Sequence, residues 1–582
     1  MSGKSLLGLV ASLAPLSLVL SGCASVPAPS SGPVAEATAA PLVFDKGMVS
    51  AADPRAAEAG ASVLRRGGSA TDAAIATMLA LTVVEPQSSG IGGGGFLMLA
   101  NEQGEVESWD GRETAPAAAT PARFLDPSGQ PLPFRTAVIG GRSVGVPGNI
   151  ALAAKIHASH GKLPWADLFL PAIHLAREGF TLSQRGYDSL ARQSDTGAHD
   201  PEARAIYYGV DGKPLALGTT IRNPALASTL EMLAAKGASG FYKGELARAI
   251  ATKVAAETPS DGKMTVADIA GFSAKQRPGV CAKYRVYRIC SMGPPSSGAT
   301  TVLATLVQLE DFDLAALGPD SPVAWHLIAE SQRLAYADRE LFLGDPDFVP
   351  VPVAALLDTA YLHRRGSLIS ADRTMAKVTA GLPAPKLARG EGPEEHGTSH
   401  FVVIDAQGNA VSWTSTIESA FGSGIMVGGF YLNNELTDFS FVPEKVSEQG
   451  RAIVANRVEG GKRPRSSMAP TLVYGPDGKL LFVVGAAGGA TIPVQVTRAL
   501  IGVLDWKLPV DKALALPVLF APTDTVNVEK GSRLEAMIPA LTALGHPVAA
   551  TQMPLKTNAV MVVDGRLVGA GDPRTEGVAI AQ

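Results

Sequence analysis

The most telling run of apolar and polar positions in this chain lies between residues 396 and 418. Phe401-Val402-Val403-Ile404 reads as a buried strand, Gln407-Gly408-Asn409 as a tight turn, and the residues from Ala410 alternate as a return strand. With Asp405 facing Ala410, Thr398 lies opposite Ile417, and Thr416 and Glu418 flank that spot on one face, because side chains at i and i+2 point the same way. Ala73 to Val84 is a long apolar run suited to a helix, with Thr71 and Asp72 as cap candidates and Glu85-Pro86 as its end. Ser88 to Gly95 is glycine-rich, and Phe96 to Ala100 returns as a strand. Gly90, Gly92 and Gly95 match the spacing of a dinucleotide loop, but that loop needs a strand before it and a helix after it. Here the order is helix, glycines, strand, which predicts close backbone packing instead. Residues 280–291 predict a second hairpin turning at Tyr284-Arg285; Cys281 then faces Arg288, Cys290 lies one diagonal step away, and a disulfide between them is left open. Strands are also predicted from about Thr471 and over Leu481 to Val484, the latter leading through Gly485 to Ala490 into a helix from about Thr491.

Composition narrows the function classes. The 582 residues suggest about four domains by length, or one elaborate catalytic core. A formal net charge of −4 gives no basic footprint, so nucleic-acid partners are set aside. No H-E-x-x-H pattern occurs, and a zinc pair made of His396 and His400 would straddle the cut proposed below; no metal site and no cofactor are expected.

The N-terminus carries a processing signal: Lys4, an apolar stretch from Leu6 to Leu20, then Leu20-Ser21-Gly22-Cys23. It resembles a bacterial lipoprotein signal, which implies removal of residues 1–22 and acylation of Cys23. Several acyl chains, at about 0.8 kcal/mol per buried methylene, hold a protein on a membrane without a spanning helix. Ala24 after the cysteine implies, by the same resemblance, the outer membrane, with the protein on the periplasmic side. Residues 23–45, rich in Ala, Pro and Ser, read as a flexible tether.

Thr398 heads the first hairpin and follows a glycine. A threonine hydroxyl becomes a good nucleophile when a base sits beside it, and its own α-amine serves once the chain is cut just before it. Gly397-Thr398 is that junction. Three further loops offer polar groups: Asp110 to Pro116 with Arg112, whose guanidinium can grip a carboxylate by two parallel bonds; Lys462 to Pro470 with Ser466 and Ser467; and the glycine turn with Gly488 and Gly489, whose amides can form an oxyanion hole.

Taken in order, Gly67 to Leu97, Asp110 to Pro116, Pro294 to Gly298, Thr398 to Gly424, Asn433 to Phe439, Lys462 to Pro470 and Gly485 to Gly489 closely resemble the gamma-glutamyltransferases, over about residues 45 to 580. The resemblance implies an N-terminal nucleophile hydrolase: an α+β, four-layer αββα sandwich that cuts itself into a large subunit, 46–397, and a small one, 398–582, which remain together as a heterodimer. It implies transfer of the γ-glutamyl group of glutathione and related compounds to water, amino acids or dipeptides. By position, Thr398 matches the processing residue and nucleophile and Thr416 the threonine that orients it. Arg112, Ser466 and Ser467 match the site for the substrate's α-carboxylate; Glu418, Glu435 and Asp438 match the site for its α-ammonium; Gly488 and Gly489 match the oxyanion amides. The residue types suit a zwitterion, which needs a cation and hydroxyls at one end and acceptors at the other.

The chain departs from the family in places. Val402 stands where serine or threonine is usual, Glu418 and Glu435 stand where some members have asparagine and glutamine, and the lid region from Ser440 to Gly461 has no tyrosine. An acylase on the same scaffold is the nearer rival, opposed by Asp438, which an amine-free substrate would leave without a partner. An uncut, inactive lipoprotein scaffold is the other.

Overall fold

The computed structural model describes residues 44–259, 262–384, 386–390, 397–447 and 450–582. The expected signal, Cys23 and nearly all of the tether lie outside the described residues.

Two antiparallel sheets form the centre. The first has seven strands, in the order Val578–Ala581, Met48–Ala51, Gly397–Ile404, Ala410–Glu418, Gly94–Ala100, Val106–Asp110 and Lys275–Arg277. The second has six, in the order Arg566–Gly571, Lys556–Val563, Leu480–Ala487, Thr471–Tyr474, Tyr287–Ser291 and Val280–Tyr284. Alternation along one strand shows how they stack. Phe401 and Val403 point into the core shared with the helix Ala70–Val84, whereas Val402 and Ile404 join Phe482 and Val484 of the second sheet. The strand is covered on both faces, which is why its sequence is continuously apolar rather than alternating. Helices Gly298–Gln308 and Ile492–Leu504 cover the far side of the second sheet. The expected four-layer αββα sandwich is therefore observed.

Local differences have physical reasons. The first helix of the glycine-rich region starts at Ala70, not Ala73, because Ser69 caps it: its hydroxyl accepts from the Asp72 amide while the Asp72 carboxylate accepts from the Ser69 amide. All fifteen residues of that helix are buried. In the second hairpin the turn falls at Arg285-Val286, with Tyr284 facing Tyr287, so Cys281 faces Cys290 directly and the two are joined in a disulfide. The region from Ser440 to Gly461 contains a short hairpin, Glu444–Ser447 with Gly450–Val454, rather than loop alone.

Candidate active site

Thr398 sits opposite a bulge. Ile404, not Asp405, faces Ala410, and this pairing continues back to Ser399 opposite Ser415; the register then shifts, so that Gly397 faces Glu418. The extra residue is on the return strand, where Thr416 and Ile417 together oppose Thr398, and the Thr398 hydroxyl meets that of Thr416. The Thr416 hydroxyl lies 3.2 Å from that of Thr398 and donates to the Gly397 carbonyl at 2.7 Å. It also accepts from the Glu418 amide at 2.8 Å. The Thr398 hydroxyl itself contacts the Gly397 carbonyl oxygen. One hydroxyl thus holds the carbonyl of the junction and the neighbouring nucleophile together.

Glycines permit this proximity. A Cβ on Gly93 would fall 1.9 Å from the Thr416 carbonyl oxygen, and one on Gly92 would fall 2.0 Å from that of Tyr431. The helix–glycine–strand segment is the wall against which the nucleophile hairpin and the loop after Tyr431 rest, as expected from the order of elements.

On the inner side of Thr416, Arg112 is 1% exposed and donates to the carbonyls of Pro464 and Arg465 at 3.2 and 3.1 Å. It also pairs with Glu435 and Asp438. The separation of cation and acceptors into opposite ends of a pocket is therefore corrected: Arg112 touches two of the three expected ammonium partners. Folding brings them together because Glu435–Asp438 is a single helical turn anchored by Asn433, whose side chain bonds Gly92, Gly145 and the Glu435 amide. Glu418, with φ 73° at the strand end, is turned so that its carboxylate accepts from Ser419 and Asn434.

Too many carboxyls meet here for the cations to neutralise. Burial, together with the neighbouring acids Glu113, Asp438 and Glu418, pushes Glu435 well above the usual carboxylate range despite Arg112. Glu113, which sequence reasoning passed over, is raised to about 7, chiefly by burial. Asp438 is also raised by burial, against the pull of Arg112. Glu435 Oε2, Asp438 Oδ1 and both oxygens of Glu113 are buried without a hydrogen-bond partner among the described residues.

Ser466 and Ser467 stand beside this cluster. The Ser467 hydroxyl accepts from Arg339 at 2.7 Å, and the Ser466 hydroxyl accepts from the Met468 amide at 3.1 Å. Ser296 and Ser297 of the Pro294 to Gly298 motif hold the strand-entry loop by bonding the Ser466 carbonyl. Arg339 was missed because nothing near it in sequence marks it, and Asn433, which opens the Asn433 to Phe439 motif, was given no role there.

The other side of Thr398 opens into a cavity of about 570 Å³, whose wall includes Gly488 and Lys556. Gly488 ends the strand Leu480–Ala487 at φ 133°, with its Cβ position occupied by the Pro554 carbonyl, so no other residue fits. Gln495 ties this turn by bonding the Ala487 carbonyl and the Thr491 hydroxyl. Behind Thr398, Lys556 donates to Glu85 at 2.8 Å and to Ser399 at 3.2 Å, and the Ser399 hydroxyl donates to Glu85 at 2.6 Å. Burial lowers the Lys556 ammonium to about 8, against the pull of Glu85. His400 is buried neutral, lowered to about 3 by burial, and its Nδ1 pairs with the Thr414 hydroxyl at 2.9 Å.

Comparisons with known proteins agree with this geometry. The sequence model of the family described as Gamma-glutamyltranspeptidase matches residues 56–582. The chain is 37% identical over 563 residues to a glutathione hydrolase proenzyme of Escherichia coli (strain K12), covering 95% of both. It is 34% identical over 550 residues to an Acylase ACY 1 proenzyme of Pseudomonas sp. (strain SE83), covering 93% of this chain and 94% of the other. The crystal structure of a cephalosporin acylase from Bacillus halodurans resembles it with a TM-score of 0.79 at 25% identity, covering 97% of this chain and 99% of that one. Because the family match takes in every strand of both sheets but Met48–Ala51, and every site loop, the chain belongs to the gamma-glutamyltranspeptidase family.

Proposed function

We propose that this protein cuts itself between Gly397 and Thr398 and then transfers the γ-glutamyl group of glutathione and related compounds to water, amino acids or dipeptides. The observation that carries this reading is the Thr416 hydroxyl, which bonds the Gly397 carbonyl while lying within reach of Thr398 Oγ. In the cut, Thr398 Oγ attacks the Gly397 carbonyl carbon, and the bond to the Thr398 nitrogen breaks as that nitrogen takes up a proton. The resulting ester is hydrolysed by water, leaving a Gly397 carboxylate and a free Thr398 amine. That amine is the base for turnover. It takes the Thr398 hydroxyl proton as Oγ attacks the γ-carbonyl, the amides of Gly488 and Gly489 receive the oxyanion, and the proton passes to the departing amine. Water or an acceptor amine then releases the γ-glutamyl ester from Thr398.

In this reading the inner cluster binds the substrate's α-amino acid end. Arg112, Ser466 and Ser467 take the α-carboxylate; Glu418, Glu435 and Asp438 take the α-ammonium. The acylase names of two relatives keep a second reading open, but the unpartnered oxygens of Glu435 and Asp438 favour a substrate that brings a cation. The lipoprotein reading remains part of the proposal: Cys23 acylated, the signal removed, and the enzyme held on the periplasmic side, with the Cys281–Cys290 disulfide suited to an oxidising compartment.

A denaturing gel with N-terminal sequencing, followed by an assay on γ-glutamyl-p-nitroanilide with and without a dipeptide acceptor, tests the proposal. Two bands, the smaller beginning at Thr398, and release of p-nitroaniline are expected. An intact chain, or a cut protein inert on every γ-glutamyl amide, would sink it.

A further inference from the structure

The cavity on the open side of Thr398 is lined by a helix face of one charge. Gln184–Arg192 is a single helix, and Arg185, Ser189 and Arg192 stand at i, i+4 and i+7, a spacing that puts all three on one side. All three line the cavity that Thr398 and Gly488 also line. Lys556 and Arg574 add two more cations to its wall, and Glu529 is the one acid among its described lining residues.

The pairing of these charges decides which are available to a ligand. Arg574 is committed: it bonds Glu529 at 2.5 and 3.0 Å and Asp572 at 2.9 Å. Lys556 is committed to Glu85. Arg185 shares Glu85 only loosely, at 3.5 Å from its Nε, and its guanidinium makes no hydrogen bond among the described residues. Glu576 accepts from the Arg185 backbone amide, and Asp188 of the same helix accepts from Gln184. Arg192 is exposed at the helix end and makes neither a hydrogen bond nor an ion pair with the described residues. Two guanidiniums therefore line the cavity without a hydrogen bond among the described residues, while the one acid that lines it, Glu529, is held by Arg574.

We infer that Arg185 and Arg192 form the recognition site for a carboxylate on the far side of the scissile amide, borne first by the leaving group and then by the acceptor. The inference rests on the γ-glutamyl reading: with the acyl group in the closed inner cluster, whatever departs from or attacks its carbonyl occupies the cavity on the other side of Thr398. A guanidinium fork matches a carboxylate and has no use for a neutral amide. The chemical class selected is a peptide or amino acid with a free C-terminal carboxylate. Because Arg192 is exposed, screening limits the effect to about three- to tenfold rather than the larger factor of a buried pair.

The test is the ratio of kcat/KM for glutathione to that for its C-terminal amide, with γ-glutamyl-p-nitroanilide as a substrate whose leaving group has no carboxylate. The parent is expected to favour the free acid by about three- to tenfold at low salt, and the preference should shrink at about 0.5 M salt, where the Debye length is only a few ångströms. Arg192→Ala should reduce the ratio, Arg192→Glu should invert it, and Arg185→Ala with Arg192→Ala should bring it near one. A parent ratio near one, or a ratio unmoved by these variants while γ-glutamyl-p-nitroanilide is still cleaved, overturns the carboxylate site and leaves the γ-glutamyl reading standing. Failure of the parent to cleave any γ-glutamyl substrate overturns both.

Discussion

A single hydroxyl, that of Thr416, ties the junction to the group that attacks it. Thr416→Ala removes the donor on the Gly397 carbonyl and should slow self-cleavage on the order of a hundredfold, while Thr416→Ser should restore most of the rate. The time course of band conversion on a gel reads this, and an alanine variant that matures at the parent rate would show the contact to be incidental. Glu113 gives a test in pH. Its folded value of about 7 lies above the ordinary carboxylate value, so the stability it contributes is full below about pH 4.5 and is lost as pH rises through 7. Glu113→Gln should flatten the fall in Tm between about pH 4.5 and 7, and an unchanged profile would place the titration elsewhere in the cluster. Asp438→Asn should weaken γ-glutamyl substrates by about ten to a hundredfold and raise relative activity on glutaryl amides, because it both removes an ammonium partner and releases Arg112 from a competing carboxylate. Equal losses in kcat/KM on both substrates would take the ammonium away from Asp438. Thr398 and Thr416 were legible in sequence because eighteen residues of hairpin join them. Arg112 and Glu435 are 323 residues apart, so their motifs could be named while their direct contact could not be read from either.

At the scale of the element, the nucleophile hairpin shows how a register can be misread by one and the site still found. The ladder is set by Ile404 facing Ala410, which carried back along both strands puts Thr398 opposite Thr416 rather than Ile417, and the bulge beyond leaves Gly397 facing Glu418. Bulges have no reliable mark in sequence, whereas the apolar run and the glycine turn do. The glycine segment was readable as close packing because its order excluded a dinucleotide loop, but what it packs on needed the fold. Gly93→Ala places a methyl against the Thr416 carbonyl and should push the return strand away from Thr398. The expected outcome is an uncut chain with lowered Tm; normal maturation would mean that the segment yields easily. The helix before it shows the opposite case: its cap at Ser69 is written in sequence as a reciprocal Ser-x-x-Asp pair, overshadowed by the long alanine run.

For the whole molecule, the tether and anchor lie apart from the catalytic core in sequence, so Cys23→Ser should move the protein out of the membrane fraction with its kcat/KM nearly unchanged. A variant that still pellets with membranes after a high-salt wash would end the lipid proposal. The expected cut falls inside a central strand, and both sheets draw strands from each side of it: Met48–Ala51 and Gly94–Ala100 flank the small-subunit hairpin in one, and Tyr287–Ser291 abuts Thr471–Tyr474 in the other. Cutting such an interleaved sandwich changes the molecularity of its folding. Before the cut, unfolding and refolding are events of one chain; afterwards the unfolded state is two chains that must meet again, so recovery depends on concentration. The mature protein should persist by the slowness of its unfolding and, once denatured at high dilution, should fail to return, whereas an uncut Thr398→Ala chain refolds in a process indifferent to dilution.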